Sequence, residues 1–174
     1  FGRAVGAMGD LNGDGWADIV ISESQAIGGI GLHFYSGRTG ARLFSRFGIT
    51  LSFAPVADRT GDGVPKLAGG FGDVFVYDGV ATTATSAPLD TLSNPVDEEN
   101  TYFGASVAEV GDLDGDGVAE IVVGAYSEGR VGQTSGPGRA YVFSGATGAV
   151  RDTLASPTPR LDGLGGWFGY AVAA

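Results

Sequence analysis

Apolar and polar side chains alternate in short runs along this chain, and glycine-containing turns separate the runs. The clearest runs are LHFY at 32–35, VFVY at 74–77 and YVF at 141–143, each followed by a Ser-Gly or Asp-Gly turn. Such alternation is typical of half-buried β-strands, and the glycines that follow are typical of hairpins. Helix-period runs of adequate length are not evident. The pattern therefore predicts an all-β chain.

The strands fall into repeating units. Phe-Gly pairs stand at 1–2, 47–48, 103–104 and 168–169, at spacings of 46, 56 and 65 residues. After each of the first three pairs come a short apolar stretch, an Asp- and Gly-rich nonapeptide, a second strand, an alternating aromatic strand and a last strand. The second strand is weak in the middle unit. Four short strands in a unit of this length predict four-stranded antiparallel blades of a β-propeller.

The repeat also predicts how the chain is divided. We expect blades at 1–46, 47–102 and 103–167, and the first strand of a fourth repeat at 168–174. Propellers usually close with about 4–8 blades. We therefore expect the remaining blades to come from the same longer chain or from another chain.

Two of the nonapeptides have the composition of a calcium site. Loop 1 (10–18, DLNGDGWAD) and loop 3 (112–120, DLDGDGVAE) place oxygen-bearing side chains at positions 1, 3, 5 and 9, and glycines at positions 4 and 6. A backbone carbonyl at position 7 adds a further hard oxygen, and Ca²⁺ prefers 6–8 oxygen ligands. The predicted ligands are Asp10, Asn12, Asp14, Trp16 (carbonyl) and Asp18 in loop 1, and Asp112, Asp114, Asp116, Val118 (carbonyl) and Glu120 in loop 3.

Loop 2 (58–66, DRTGDGVPK) departs from this pattern. It keeps Asp58 and Asp62 but has Thr60 at position 3 and Lys66 at position 9. Lys66 would put an ammonium where the last carboxylate belongs. We predict that loop 2 binds no calcium and that Lys66 forms an ion pair with Asp58 or Asp62.

An EF-hand or dockerin repeat begins with similar letters. Both need an acidic ligand at position 12 and an adjoining helix. Position 12 is Ile21 after loop 1 and Val123 after loop 3, each within a β-branched run. The sequence therefore predicts that a strand follows each loop.

Charge and composition exclude several classes of partner. The 174 residues carry a formal net charge of −10 and no cysteine. This charge disfavours nucleic acid and anionic membrane surfaces as partners, because both bind clustered cations. No run approaches the ~20 apolar residues of a membrane-spanning helix, so membrane insertion is not expected. A basic-then-apolar leader is also missing at the start, so we expect any export signal to be removed or outside this chain.

These motifs together resemble a known family. Phe-Gly, then Asp-x-Asp/Asn-x-Asp-Gly-x-x-Asp, then an apolar run ending in Gly-Ala (VVGAY, 122–126) is similar to the FG-GAP repeat of integrin α-chain propellers and of many secreted bacterial proteins. The likeness is specific in the first and third units and degenerate in the second. It implies a seven-bladed ring in the full protein, calcium in the loop between the first two strands of a blade, and an extracellular, cell-surface or periplasmic location. It also implies the ligands already named for loops 1 and 3.

Three functions follow as hypotheses. The leading one is a non-catalytic, calcium-stabilised binding or adhesion module that contacts protein or glycan on an extracellular surface. The alternatives are an accessory or catalytic propeller of a secreted lyase or hydrolase, and a structural subunit of a surface assembly. No catalytic residue is predicted, since His33 is the only histidine and its sequence neighbourhood supplies no nucleophile. The glycine-rich segment 127–139 is either a contact site or a mobile loop.

Overall fold

The computed structural model describes residues 2, 4–25, 29–49, 52–79, 87–129, 136–159 and 165–173. Within these ranges the chain forms three four-stranded antiparallel sheets, and no helix. Consecutive strands are neighbours in every sheet, so each sheet is a simple meander. The predicted all-β class with four-stranded antiparallel blades is confirmed. The described residues do not close a ring.

The first sheet contains β1 (Val5–Met8), β2 (Asp18–Gln25), β3 (Gly29–Tyr35) and β4 (Arg42–Ile49). The second contains β5 (Ser52–Val56), β6 (Lys66–Phe71), β7 (Asp73–Asp78) and β8 (Asp90–Ser93). The third contains β9 (Phe103–Glu109), β10 (Ile121–Ala125), β11 (Arg139–Phe143) and β12 (Val150–Ala155).

Two apolar clusters hold the sheets together face to face. Side chains from the first sheet, including Val20 and Phe34, pack with Leu67 of the second sheet. Side chains from the other face of the second sheet, including Val76, pack with Phe103 and other residues of the third. A fully buried side chain of this size contributes roughly 1.5–3 kcal/mol to folding. The middle sheet is therefore covered on both faces, and its neighbours depend on it for burial.

A cation–π contact reinforces the interface between the first and second sheets. The guanidinium carbon of Arg46 lies 3.7 Å from the ring centroid of Tyr77. Arg46 belongs to β4, Tyr77 belongs to β7, and Arg46 is buried. Such a contact is worth about 2 kcal/mol when the cation is desolvated.

Two parts of the predicted division differ from the structure. Phe47 and Gly48 lie inside β4, where Phe47 pairs with Gly31, so this Phe-Gly pair does not begin the second sheet and the boundary after residue 46 falls within a strand. The segment 168–173 adopts turns and forms no strand. It contacts the outer face of the third sheet through Phe168 and Val172. The other predicted boundaries stay predictions.

Candidate metal centres

The three acidic loops occupy equivalent places. Each connects the first strand of a sheet to its second, and a strand follows each of them, as the sequence predicted. The glycines at loop positions 4 and 6 all have φ between 75° and 89°. Such left-handed conformations are unfavourable for residues with a Cβ, which explains glycine at these two places in all three loops. Those glycines are Gly13, Gly15, Gly61, Gly63, Gly115 and Gly117.

The aspartate at position 1 organises each loop. Its two carboxylate oxygens accept hydrogen bonds from the backbone N–H groups at positions 4 and 6, at 2.6–2.9 Å. The hydrogen bond from Gly15 is the main cause that lowers the pKa of Asp10, and that from Gly117 does the same for Asp112. Both residues are thus held as carboxylates in a wrapped loop.

Loop 3 brings four carboxylates to one point. Oxygen atoms of Asp112, Asp114, Asp116 and Glu120 all lie within 4.8 Å of one another. Like charges at this separation repel, and a divalent cation at their centre would reverse the sign of the interaction. Carboxylate oxygens are also the ligands that Ca²⁺ prefers.

Glu120 supplies the most informative atom of loop 3. Its side chain is 0% exposed. Oε2 accepts a hydrogen bond from the backbone N–H of Leu113 and lies 3.9 Å from Nη1 of Arg151. Oε1 is also buried and has no hydrogen-bond partner within the described part of the chain. A buried carboxylate oxygen without a partner is costly, and a bound cation would remove that cost.

Loop 1 has a similar backbone but a different set of polar contacts. Asp18 at position 9 is buried, and its two oxygens accept hydrogen bonds from the N–H groups of Leu11 (2.8 Å) and Gly37 (3.1 Å). The amide of Asn12 donates to Asp14 at 3.1 Å. Loop 1 therefore offers three carboxylates and one amide, one negative charge fewer than loop 3.

Loop 2 contains an internal cation. Lys66 is 0% exposed, and its Nζ lies 2.7 Å from Asp62 and 3.5 Å from Asp58. The predicted ion pair of Lys66 is confirmed. Sequence reasoning missed a third partner, Asp78, whose Oδ1 lies 3.7 Å from Nζ. The signal was available, since Asp78 replaces the serine of the Ser-Gly turns at 36–37 and 144–145.

The glycine of each of these turns lies against the loop of its own sheet. A Cβ added to Gly37, Gly79 or Gly145 would lie 1.8–2.0 Å from the carbonyl oxygen of loop position 8. No side chain can be accommodated at that distance. The turn between the third and fourth strands therefore packs tightly on the acidic loop, and the repeated Ser-Gly or Asp-Gly dipeptide is explained.

A second feature of the surface was also missed. The rings of Tyr102, Tyr126, Tyr170 and Trp167 contact one another in succession, with centroids 4.7, 5.2 and 5.9 Å apart; the first and last pairs are stacked and the middle pair is edge-to-face. We call these four residues the aromatic ladder. Trp167 and Tyr170 are 56% and 61% exposed. Tyr102 and Trp167 have φ of 57° and 54°, which is uncommon for bulky residues. Three of the four directly flank a Phe-Gly pair, which is the sequence signal.

Other candidates from the sequence have structural roles or lie partly outside the described residues. His33 is buried and hydrogen-bonded on both ring nitrogens, to Glu23 and to Ser45, each at 2.8 Å. Glu23 and Ser45 are distant from His33 in sequence, and strand pairing brings them into contact with it. Residues 130–135 of the segment 127–139 are outside the described ranges. Before them, Glu128 is buried and accepts hydrogen bonds from Tyr141.

The repeated sheets and their acidic loops define a protein built from propeller-type repeats. Residues 1–41 and 103–143 match the family model of the FG-GAP repeat. The FG-GAP repeats recognised from the sequence are thereby confirmed in these two segments. The middle unit is outside the matched residues, in agreement with its degenerate loop.

The chain is similar to integrin α subunits. It is 32% identical to integrin alpha-6 of Gallus gallus over 143 residues, 30% to integrin alpha-IIb of Homo sapiens over 162, and 31% to integrin alpha-PS5 of Drosophila melanogaster over 150. These alignments cover 70, 75 and 72% of this chain but only 13, 15 and 15% of the relatives. In the described ranges, no helix is long and apolar enough to cross a membrane.

Proposed function

We propose that this chain is a calcium-stabilised segment of a propeller in an exported or cell-surface protein, and that it acts as a non-catalytic binding or adhesion module. The single observation that carries the calcium assignment is loop 3, where oxygens of four carboxylates lie within 4.8 Å of one another and the buried Oε1 of Glu120 has no hydrogen-bond partner among the described residues. Loop 1 is the second site, on the ligands predicted above.

The ion would cross-link the two ends of the loop that connects the first strand of a sheet to its second. It would draw position 1 at the end of the first strand toward position 9 at the start of the second. In loop 3 it would also fix Glu120, whose Oε2 already contacts Leu113 and Arg151. Arg151 belongs to β12 and donates to the Leu113 carbonyl at 3.2 Å, so the loop is tied to the outermost strand as well.

The aromatic ladder is the described surface that best supports a binding role. Exposed, adjoining rings offer a large apolar area to a partner, and aromatic residues dominate the energetics of many interfaces. The strained backbone at Tyr102 and Trp167 points the same way, because strain of this kind concentrates at ligand-binding sites. We propose that protein or glycan on an extracellular surface contacts the ladder, and that further propeller blades pack beside the three sheets.

Binding by the ladder is tested with a double variant, Trp167→Ala/Tyr170→Ala. Surface-immobilised protein is screened against extracellular-matrix proteins and a glycan array, with calcium and with chelator. We expect a partner that binds the parent and is lost in the variant, while the melting temperature changes little because both rings are exposed. Val5→Ala, another exposed apolar position (65% exposed), serves as the matched control. A partner that still binds the double variant would show that the aromatic ladder is not the binding surface.

The alternative of a secreted lyase or hydrolase has less support. A catalytic propeller needs polar groups that converge on a substrate cavity. One cavity of about 340 Å³, beside β5 and β9, is lined mainly by alanine, serine, valine and aromatic residues. Ser106 at this cavity already donates its hydroxyl to the carbonyl of Gly169. The third hypothesis is a structural subunit of a surface assembly. The same binding screen distinguishes it from the binding or adhesion module.

A further inference from the structure

We propose that Lys66 is a built-in cation that replaces the divalent ion in loop 2, so that the middle sheet holds its shape without calcium. The proposal rests on the proposed function, since it treats loops 1 and 3 as calcium sites. The proposal adds that the chain has two calcium-dependent loops and, between them, one loop whose carboxylates are paired with a lysine. Lys66 then determines which of the three loops excludes metal.

The backbone of loop 2 has the same wrapped form as its neighbours. Asp58 accepts hydrogen bonds from the N–H groups of Gly61 and Gly63 at 2.9 and 2.6 Å, as Asp10 and Asp112 do in their loops. Gly61 and Gly63 have φ of 76° and 78°. Loop 2 has therefore kept the conformation of a cation site while losing two of the predicted ligands.

The ammonium comes from the residue that aligns with the last ligand. Lys66 begins β6, as Asp18 begins β2, and Glu120 directly precedes β10. Its fully buried Nζ lies near three carboxylates, at 2.7 Å from Asp62, 3.5 Å from Asp58 and 3.7 Å from Asp78. An ammonium is a compact charge with three donors, which suits three surrounding carboxylates.

Asp78 shows that the replacement involves two positions. It pairs with Lys66 across β6 and β7, and serines stand at the corresponding places in the other sheets, Ser36 and Ser144. Three carboxylates around one ammonium have a net charge of −2, the same as the four carboxylates of loop 3 around a divalent ion. Asp78 thus restores the charge balance that a monovalent cation alone would change.

The surrounding carboxylates keep the ammonium protonated despite its burial. Desolvation alone would lower the pKa of Lys66, but the hydrogen bond to Asp62 and the charges of Asp78 and Asp58 outweigh it and raise the pKa above its ordinary value. The cation is therefore permanent over the range of physiological pH. The middle sheet packs on both of its neighbours. The sheet at the centre of the three is therefore the one whose loop does not depend on calcium.

Calorimetric calcium titration of designed variants tests the replacement. Thr60→Asp/Lys66→Asp/Asp78→Ser gives loop 2 the ligand pattern of a calcium loop, and Thr60→Asp alone is the matched control that retains Lys66. We expect one more bound ion in the triple variant than in the parent, and no gain in the control. An unchanged count in a folded triple variant, or a third ion in the parent, would overturn the proposal.

Lysine labelling tests the same idea without any variant that has to fold. Lys66 is the only lysine of the chain, so an amine-reactive reagent reports on this one side chain once the α-amino group is accounted for. We expect Lys66 to stay protected in chelator and to be modified in urea. Modification in chelator as fast as in urea would overturn the proposal. If the parent binds no calcium, the proposed function fails, and the labelling result still decides whether Lys66 is a built-in cation.

Discussion

Glu120 accepts a hydrogen bond through Oε2 from the backbone N–H of Leu113, which lies seven residues earlier in the same loop. This contact uses one carboxylate oxygen and leaves the buried Oε1 without a partner. A glutamate at position 9 is therefore not a weakened version of aspartate. Asp18 makes the equivalent contact with Leu11 in loop 1, but its other oxygen accepts a hydrogen bond from Gly37, whereas the other oxygen of Glu120 is left available to an ion.

Glu120→Gln should weaken calcium binding at loop 3 without unfolding the chain. Glutamine keeps the shape and the acceptor toward Leu113 but removes the charge at Oε1. We expect the affinity of one site to fall at least about tenfold, since a charge-assisted contact is stronger than a neutral one by at least about 1.4 kcal/mol. Calorimetry measures the two affinities separately. Asp18→Asn is the control that changes the other site, and equal weakening of both sites by Glu120→Gln would contradict the assignment.

Gly145→Ala should destabilise the third sheet for a steric reason alone. Gly145 does not have a positive φ, but its Cβ would lie 2.0 Å from the carbonyl oxygen of Ala119. Both groups belong to the backbone, so we expect a loss of about 3 kcal/mol in the free energy of unfolding. Urea denaturation gives this value. Gly111→Ala is the control, because nothing lies within 4 Å of its added Cβ. An equal loss of stability in Gly111→Ala would show that the steric clash with Ala119 is not the cause.

Tyr141 should be the last tyrosine to ionise. Burial is the main cause that raises its pKa to about 12, and the hydrogen bond to Glu128 adds to the effect. Because the folded pKa lies above the ordinary value of 10.0, the unfolded chain loses this proton first, and the stability gained from the neutral phenol is present below pH 10 and lost as pH rises toward 12.

Phenolate absorbance against pH checks this order of ionisation. Tyr141→Phe should remove the component that titrates at the highest pH and leave the others in place. A parent whose tyrosines all ionise near the ordinary value would show that Glu128 and Tyr141 are not buried together.

Tyr77→Leu should weaken the interface between the first and second sheets, whereas Tyr77→Phe should not. Phenylalanine keeps the ring face over which the Arg46 guanidinium lies, and leucine removes it. We expect Tyr77→Leu to lower the free energy of unfolding by about 2 kcal/mol. Chemical denaturation of the two variants side by side measures the difference, and equal losses would assign the effect to the phenol hydroxyl instead of the cation–π contact.

The parts of the fold that could be predicted are those encoded over a few residues. Strand alternation and the turn glycines depend on neighbours in sequence, and loops 1 and 3 each have all their predicted ligands within nine positions. Lys66 could be assigned an ion pair for the same reason. The family match to 1–41 and 103–143 shows that these short signals were sufficient in the first and third units.

The parts that were missed depend on contacts between strands. Asp78 meets Lys66 only because β6 and β7 pair in that register, and the aromatic ladder gathers rings from three separate segments. A two-residue motif is also a weak signal by itself. The motif alone predicts that Phe47-Gly48 starts a repeat, but its pairing with β3 places it in the last strand of the preceding sheet.

The most direct test of the account is the number of calcium ions that the parent chain binds, measured by calorimetric titration after treatment with chelator. We predict two ions for each chain, one in loop 1 and one in loop 3, with the melting temperature raised when they bind. Binding of no calcium, with the same melting temperature in chelator and in calcium, would contradict it.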